Sequence, residues 1–264
     1  MSSKGRHIVA NGVNTYYEVH GDGEALLLLH GGTDTVECFR EQTPALAKQF
    51  KVILPERRGH GRTADVEGPI TYELMARDTA AFMEALGIPA AHLVGWSDGA
   101  IVGMLVAMSR PDMVKKLVSI GGNFHFRGLT ERFEAYVRAA TAETYFPPAV
   151  EMYKRISPDG PEHWAVVWEK IKRLWLTEPQ FAPQEFARIV APTLVMAGQN
   201  DIMTLEHTIE LFRALPDGQL CVLPGASHFL LHEKPELVNR LITDFLAVEQ
   251  LHGQADTASA ASSQ

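Results

Sequence analysis

The sequence of 264 residues predicts an α/β fold, a mostly parallel sheet covered by helices on both faces, on three observations. Short apolar runs alternate with helical stretches over most of the chain, the pattern of a parallel sheet buried on both sides. An Asn-Gly pair near the start announces an antiparallel hairpin ahead of that alternation. The stretch 99–109 is apolar on all sides, as a helix buried against a sheet must be.

Taken in order, 8–9 and 14–20 are the arms of the hairpin around Asn11-Gly12. Six strands are expected after it, at 25–29, 52–54, 92–94, 117–120, 193–197 and 220–223. Helices are expected at 36–49, 72–86, 99–109, 205–215 and 235–248. Gly87 and Pro89 stop the second of these, and Pro111 follows the third. From Asn123 to Ala191 there is no convincing strand, only helical pieces around 131–142, 149–156 and 162–176. That interval reads as an inserted cap at 123–191, splitting the core into 1–122 and 192–250. Its aromatic set is dense: Trp164, Trp168, Trp175, Tyr136, Tyr145, Tyr153, Phe133, Phe146 and Phe181. Most of these should pack the cap's own core, with two or three facing the cleft to line an apolar pocket. Residues 251–264 are small and polar, the composition of a disordered tail.

With 46% hydrophobic residues the chain can bury a full core in one large domain. Its net charge of −8, without a basic run, argues against a nucleic acid or an anionic membrane as partner and otherwise favours solubility; the expected partner, on the chemistry below, is a small-molecule substrate. The first residues lack the apolar stretch of a signal peptide, and the run 25–29 is far too short to span a bilayer, so the expected location is cytoplasmic. Cys38 and Cys221 lie far apart without ligand spacing and read as reduced thiols, with neither a disulfide nor a metal site, and no residue pattern asks for a cofactor. Composition leaves monomer and homodimer equally open.

The chemistry centres on Gly95-Trp96-Ser97-Asp98-Gly99, which puts a serine between two glycines where a strand gives way to a helix. So sharp a turn strains the backbone at its centre and lifts the Ser97 hydroxyl alone above the strand end. A serine hydroxyl is a poor nucleophile at neutral pH and needs a base, which in turn needs an orienting acid. Asp201 follows the strand 193–197 and His228 follows the strand 220–223, in the chain order expected for this turn on such a sheet. Asn123, just past another strand, stands where an acid could arise, but an amide cannot serve. The turn His30-Gly31-Gly32-Thr33 supplies glycines that let backbone N–H groups approach a ligand. The expected oxyanion donors are the N–H of Gly32, or else of Thr33, and that of Asp98. Trp96 and Thr33, flanking these groups, and the Asp98 carboxylate are the candidate substrate contacts, and His30 reads as a structural hydrogen-bonding residue.

Over 8–248 the chain resembles the α/β-hydrolase fold superfamily. The matching residues are His30-Gly31-Gly32, Arg58-Gly59-His60-Gly61, Gly95-Trp96-Ser97-Asp98-Gly99, Asp201 and Ser227-His228-Phe229. The resemblance implies an eight-stranded, mostly parallel sheet with an inserted helical cap. It also implies a serine hydrolase of carboxylic esters acting through an acyl-enzyme, with lactones and thioesters sharing that chemistry. Relatives that cleave carbon–carbon bonds or act as lyases with the same triad form the alternative, and small-molecule receptors of this fold a more distant one. The family's Asp before the Arg-Gly-His-Gly turn is Glu56 here, a departure that touches loop packing more than chemistry. Ser97 ends any likeness to the branches whose nucleophile is Asp. The elbow is similar to that of valacyclovir hydrolases, or biphenyl hydrolase-like proteins. That likeness implies α-amino acid esters, with the Asp98 carboxylate on the substrate's amine; an acid in a first helical turn is equally what the helix dipole favours.

Overall fold

The computed structural model describes residues 5–247. Its sheet has eight strands in the spatial order β1-β2-β4-β3-β5-β6-β7-β8. The strands are β1 (Arg6–Ala10), β2 (Val13–His20), β3 (Glu24–Leu29), β4 (Phe50–Pro55), β5 (Ala91–Trp96), β6 (Val114–Ile120), β7 (Thr193–Asn200) and β8 (Gly218–Ser227). β2 runs antiparallel to both β1 and β4, and every other pairing is parallel. Asn11 and Gly12 join β1 to β2 with φ of 48° and 75°, the left-handed pair that a two-residue hairpin needs. The later strands extend beyond their apolar runs. β8, for example, continues through Pro224 and Gly225 along the sheet edge, where few side chains have to be buried.

Helices follow as α1 (Thr43–Leu46), α2 (Tyr72–Ala85), α3 (Asp98–Ser109), α4 (Glu131–Ala139), α5 (Pro147–Ile156), α6 (Trp164–Thr177), α7 (Leu205–Ala214), α8 (Leu230–Glu233) and α9 (Pro235–Ala247). The single helix expected over 36–49 is instead two pieces, a 3-10 turn at Val36–Phe39 and the short α1. Pro44 is the cause: without an N–H it sits comfortably only in a first turn, so α1 has to begin beside it. The preceding turn is closed separately by the Thr35 side chain, which accepts from the Glu37 N–H.

Period-two alternation divides the core. Leu27 and Leu29 face α2 and α3, whereas Leu26 and Leu28 face α9, and all four are essentially inaccessible. Burying each such side chain contributes about 1.5–3 kcal/mol, which is how the sheet holds both helical layers. α3 is buried on every side from Asp98 to Met108, as its sequence requires.

Residues 123–191 add no strand to the sheet and carry α4, α5 and α6. Trp168 is fully buried and stacks on Tyr145 with ring centroids 4.1 Å apart. Phe133, Tyr145, Phe146 and Trp175 face a cavity over the carboxyl ends of the central strands. Val248 and the polar segment 251–264 lie outside the described residues. Among the described residues no helix is long and apolar enough to cross a membrane.

A Cβ built on Gly99 would strike the Leu29 carbonyl, so α3 reaches the sheet only because that side chain is missing. Gly99→Ala is therefore expected to destabilise the fold by about 1–3 kcal/mol, the usual cost of overpacking. Urea unfolding followed by circular dichroism reads this directly, and a midpoint equal to the native one contradicts it.

Candidate active site

β5 ends at Trp96 and α3 begins at Asp98, leaving Ser97 alone to make the turn. Its φ of 56° and ψ of −122° lie in territory that non-glycine residues avoid, at a cost of about 1–3 kcal/mol that the surrounding structure has to hold. A Cβ on Gly95 would meet the Gly99 backbone, so the two glycines flanking the turn allow the chain to pass close to itself.

Three side chains that are distant in sequence meet there. His228 Nε2 lies 3.0 Å from Ser97 Oγ, and His228 Nδ1 lies 2.6 Å from Asp201 Oδ1. An Nδ1–H donating to the carboxylate leaves Nε2 free to accept from the serine O–H. Asp201 also accepts from the N–H groups of Gly198 at 3.2 Å and Met203 at 3.3 Å. Burial alone would raise the Asp201 pKa, but His228 and these donors outweigh it and hold the carboxyl below its ordinary 3.8. The structure thus brings together the three residues picked from the strand ends. Asn123 instead donates from its amide to the His125 carbonyl at 2.9 Å.

Of the candidate substrate contacts, Trp96, Asp98 and Thr33 all line the cavity. Trp96 is only 3% exposed, and its indole N–H donates to the His228 carbonyl at 2.9 Å, so it also serves as a brace behind the histidine. Thr33 has a φ of 56°, and its Oγ1 shares a hydrogen bond of 2.9 Å with the Tyr145 hydroxyl. Asp98 is buried, and its carboxylate accepts from the Tyr72 hydroxyl at 2.9 Å and the Trp175 indole at 3.0 Å. Burial raises its pKa against the opposing pull of Arg57, Trp175 and Tyr72. Tyr72 and Trp175 join the site without a sequence signal: Trp175 belongs to the dense aromatic set, but nothing in the sequence pairs either residue with Asp98.

The Gly32 backbone passes so close to this group that a Cβ there would lie 2.5 Å from both Asp98 Oδ2 and Trp175 Cζ2. His30 is structural, as its sequence setting suggests. Its Nδ1 donates to the Gly31 carbonyl at 2.7 Å, its Nε2 accepts from the Arg57 N–H at 3.1 Å, and burial with Arg57 nearby keeps it neutral. Glu56 is fully buried and binds both the backbone and the side chain of Arg62, locking the loop after β4. The cavity has a volume of about 230 Å³. Among the described residues no group of three or more His, Cys, Asp or Glu is placed to hold a metal ion.

A model of the alpha/beta hydrolase family matches residues 26–241, and the chain belongs to that family. Among curated relatives, the 2-hydroxy-6-oxo-6-phenylhexa-2,4-dienoate hydrolase of Burkholderia cepacia is 28% identical over 255 residues, 86% of this chain and 89% of that protein. The serine hydrolase BPHL of Mus musculus is 28% identical over 249 residues, 90% of this chain and 85% of its own. Among solved structures, the meta-cleavage product hydrolase CumD of Pseudomonas fluorescens IP01 superposes with a TM-score of 0.80 at 23% identity, covering 92% of this chain and 97% of that one. This last likeness speaks to the fold.

The depressed pKa of Asp201 has a consequence for stability. Its stabilising contribution is complete above 3.8 and drains away as pH falls through the lowered folded value. The stability difference between the native protein and Asp201→Asn should therefore be flat above pH 3.8 and shrink below it. Chemical unfolding of both proteins across that range measures it, and a difference that grows on acidification contradicts the assignment.

Proposed function

We propose that this protein is a serine hydrolase of carboxylic esters that works through an acyl-enzyme. The observation that carries this reading is the unbroken chain Ser97–His228–Asp201, at 3.0 and 2.6 Å, on the floor of a largely apolar cavity. His228 takes the proton of Ser97 as the hydroxyl attacks the ester carbonyl and returns it to the leaving alcohol. Water then attacks the acyl-enzyme by the same route in reverse. Asp201 fixes the imidazole tautomer and stabilises the imidazolium while it lasts. The N–H groups of Gly32 and Asp98 take the oxyanion of each tetrahedral intermediate, each donor contributing about 3 kcal/mol. Residues 123–191 act as a cap that shields these steps from bulk water.

The lining also bears on the substrate. Among the described residues three acids, Asp34, Asp98 and Glu178, border the cavity, and no lysine or arginine does. Burial raises the pKa of all three, Asp34 to about 6, which weakens their negative charge without supplying a positive one to the lining. A dienoate, the kind of compound named for the Burkholderia cepacia relative, is an anion and finds no cation here. Neutral acyl esters and lactones fit this lining, and so do α-amino acid esters, whose ammonium suits acidic walls. The two protein donors already on Asp98 favour a role for its carboxylate in holding Trp175 and Tyr72 rather than in gripping an amine.

An activated fluorophosphonate should label Ser97 covalently, with Ser97→Ala abolishing both labelling and ester turnover; intact-mass spectrometry reads the first, and label persisting in the mutant would refute the assignment. In a hydrolysis panel of neutral acyl esters, lactones, amino-acid esters and half-esters of dicarboxylic acids, the half-esters should lag in kcat/KM by about tenfold or more, the scale of one unrelieved charge repulsion. Equal rates for the anionic and neutral esters would remove the charge argument.

A further inference from the structure

Behind the oxyanion amides lies a cation that the proposed reaction does not use. Arg57 follows β4 and is only 4% exposed. Its Nη1 donates to the His30 carbonyl at 2.5 Å and its Nη2 to the Gly31 carbonyl at 3.1 Å. Its backbone N–H reaches His30 Nε2, so one residue holds the turn 30–31 at three points. Asp98 and Asp34 are the carboxylates whose fields reach it, yet neither forms an ion pair with it among the described residues. A guanidinium retains its charge in proteins, and burying one without a paired anion is costly. That cost calls for a compensating role at the position.

The geometry of one peptide supplies the return. The Gly31 carbonyl and the Gly32 N–H belong to the same planar unit and point in opposite directions. Donors on the carbonyl fix that plane and draw electron density through it, which strengthens the N–H on the other side. The Gly31 carbonyl receives two donors, Arg57 Nη2 and His30 Nδ1. The same positive charge helps to keep His30 and His60 neutral, so Arg57 remains the cation of this layer.

We propose that Arg57 is the positioning residue of the oxyanion hole: its hydrogen bond to the Gly31 carbonyl and its buried charge aim and polarise the 31–32 peptide toward the developing oxyanion, while its hydrogen bond to the His30 carbonyl holds the preceding peptide in place. This rests on the ester-cleaving reading above, because only a tetrahedral oxyanion makes use of such a donor.

Arg57→Met removes the charge and both hydrogen bonds, whereas Arg57→Lys keeps the charge but loses the planar fork. On a neutral ester, kcat of Arg57→Met should fall about 100-fold, the scale of a lost oxyanion donor, with KM close to native. Affinity for an alkyl boronic acid, which closes an anionic tetrahedral adduct on Ser97, should fall by the same factor. Arg57→Lys should show a smaller loss of both, again in proportion and at constant KM. A merely structural role would move KM and thermal stability without linking kcat to boronate affinity. Native kcat and native boronate affinity in a folded Arg57→Met overturn the proposal. If that variant does not fold, native values of both in Arg57→Lys overturn it instead. A native protein that neither turns over esters nor binds the boronate overturns the ester-cleaving reading and this inference together, and that result is visible without any Arg57 variant.

Discussion

The site depends on a close approach of backbone to backbone: the first turn of α3 is pressed against the carboxyl ends of β3 and β5. Gly99 meets the Leu29 carbonyl and Gly95 meets the Gly99 backbone, so no side chain can intervene. Ser97 takes up the geometric mismatch in its left-handed φ, and the apolar burial of α3 on every face keeps the turn from relaxing. The same approach brings the turn after β3 beside the turn after β5. Two segments separated by more than sixty residues of sequence thereby line one cavity.

Around that contact the charges alternate in layers. Asp98 lies beside the serine, tied to α2 through Tyr72 and to α6 through Trp175. Arg57 lies beneath the neighbouring turn, gripping carbonyls rather than a carboxylate. Asp201 lies on the far side of His228, with two backbone donors to hold it ionised. Each of these buried groups is held by hydrogen bonds from dipoles as well as by the field of a neighbouring side chain, Arg57 for Asp98 and His228 for Asp201, which fixes positions. An arrangement of this kind is preorganised: little has to rotate when charge develops during a reaction.

Much of this was legible in the sequence, and the reasons for the gaps are physical. The hairpin could be read because Asn11-Gly12 permits one turn geometry, and the Ser97 elbow because glycines mark a close approach. Asp201 and His228 could be read because strand ends are where a parallel sheet delivers functional side chains. The segment 36–49 reads as one helix because its apolar spacing is helical, but Pro44 is not compatible with a helix interior and splits it. The partnership of Tyr72, Asp98 and Trp175 was invisible because it joins three elements whose mutual orientation no local pattern encodes. Arg57 was hidden for a related reason. Beside the family-like Arg58-Gly59-His60-Gly61 it reads as one more loop charge, and only its burial against the His30 and Gly31 carbonyls separates it from a solvated arginine.

Trp96, the residue just before the serine, donates its indole N–H to the backbone carbonyl of His228. Ser97 and His228 stand just beyond β5 and β8, strands separated in the sheet by β6 and β7. Thermal breathing of a twisted sheet would be expected to change the spacing of two points so far apart in strand order. The indole spans that separation with a short tether from the residue next to Ser97 to the main chain of His228. The 3.0 Å gap between serine and histidine is thus constrained by a direct link as well as through the four strands of the sheet between and beneath them.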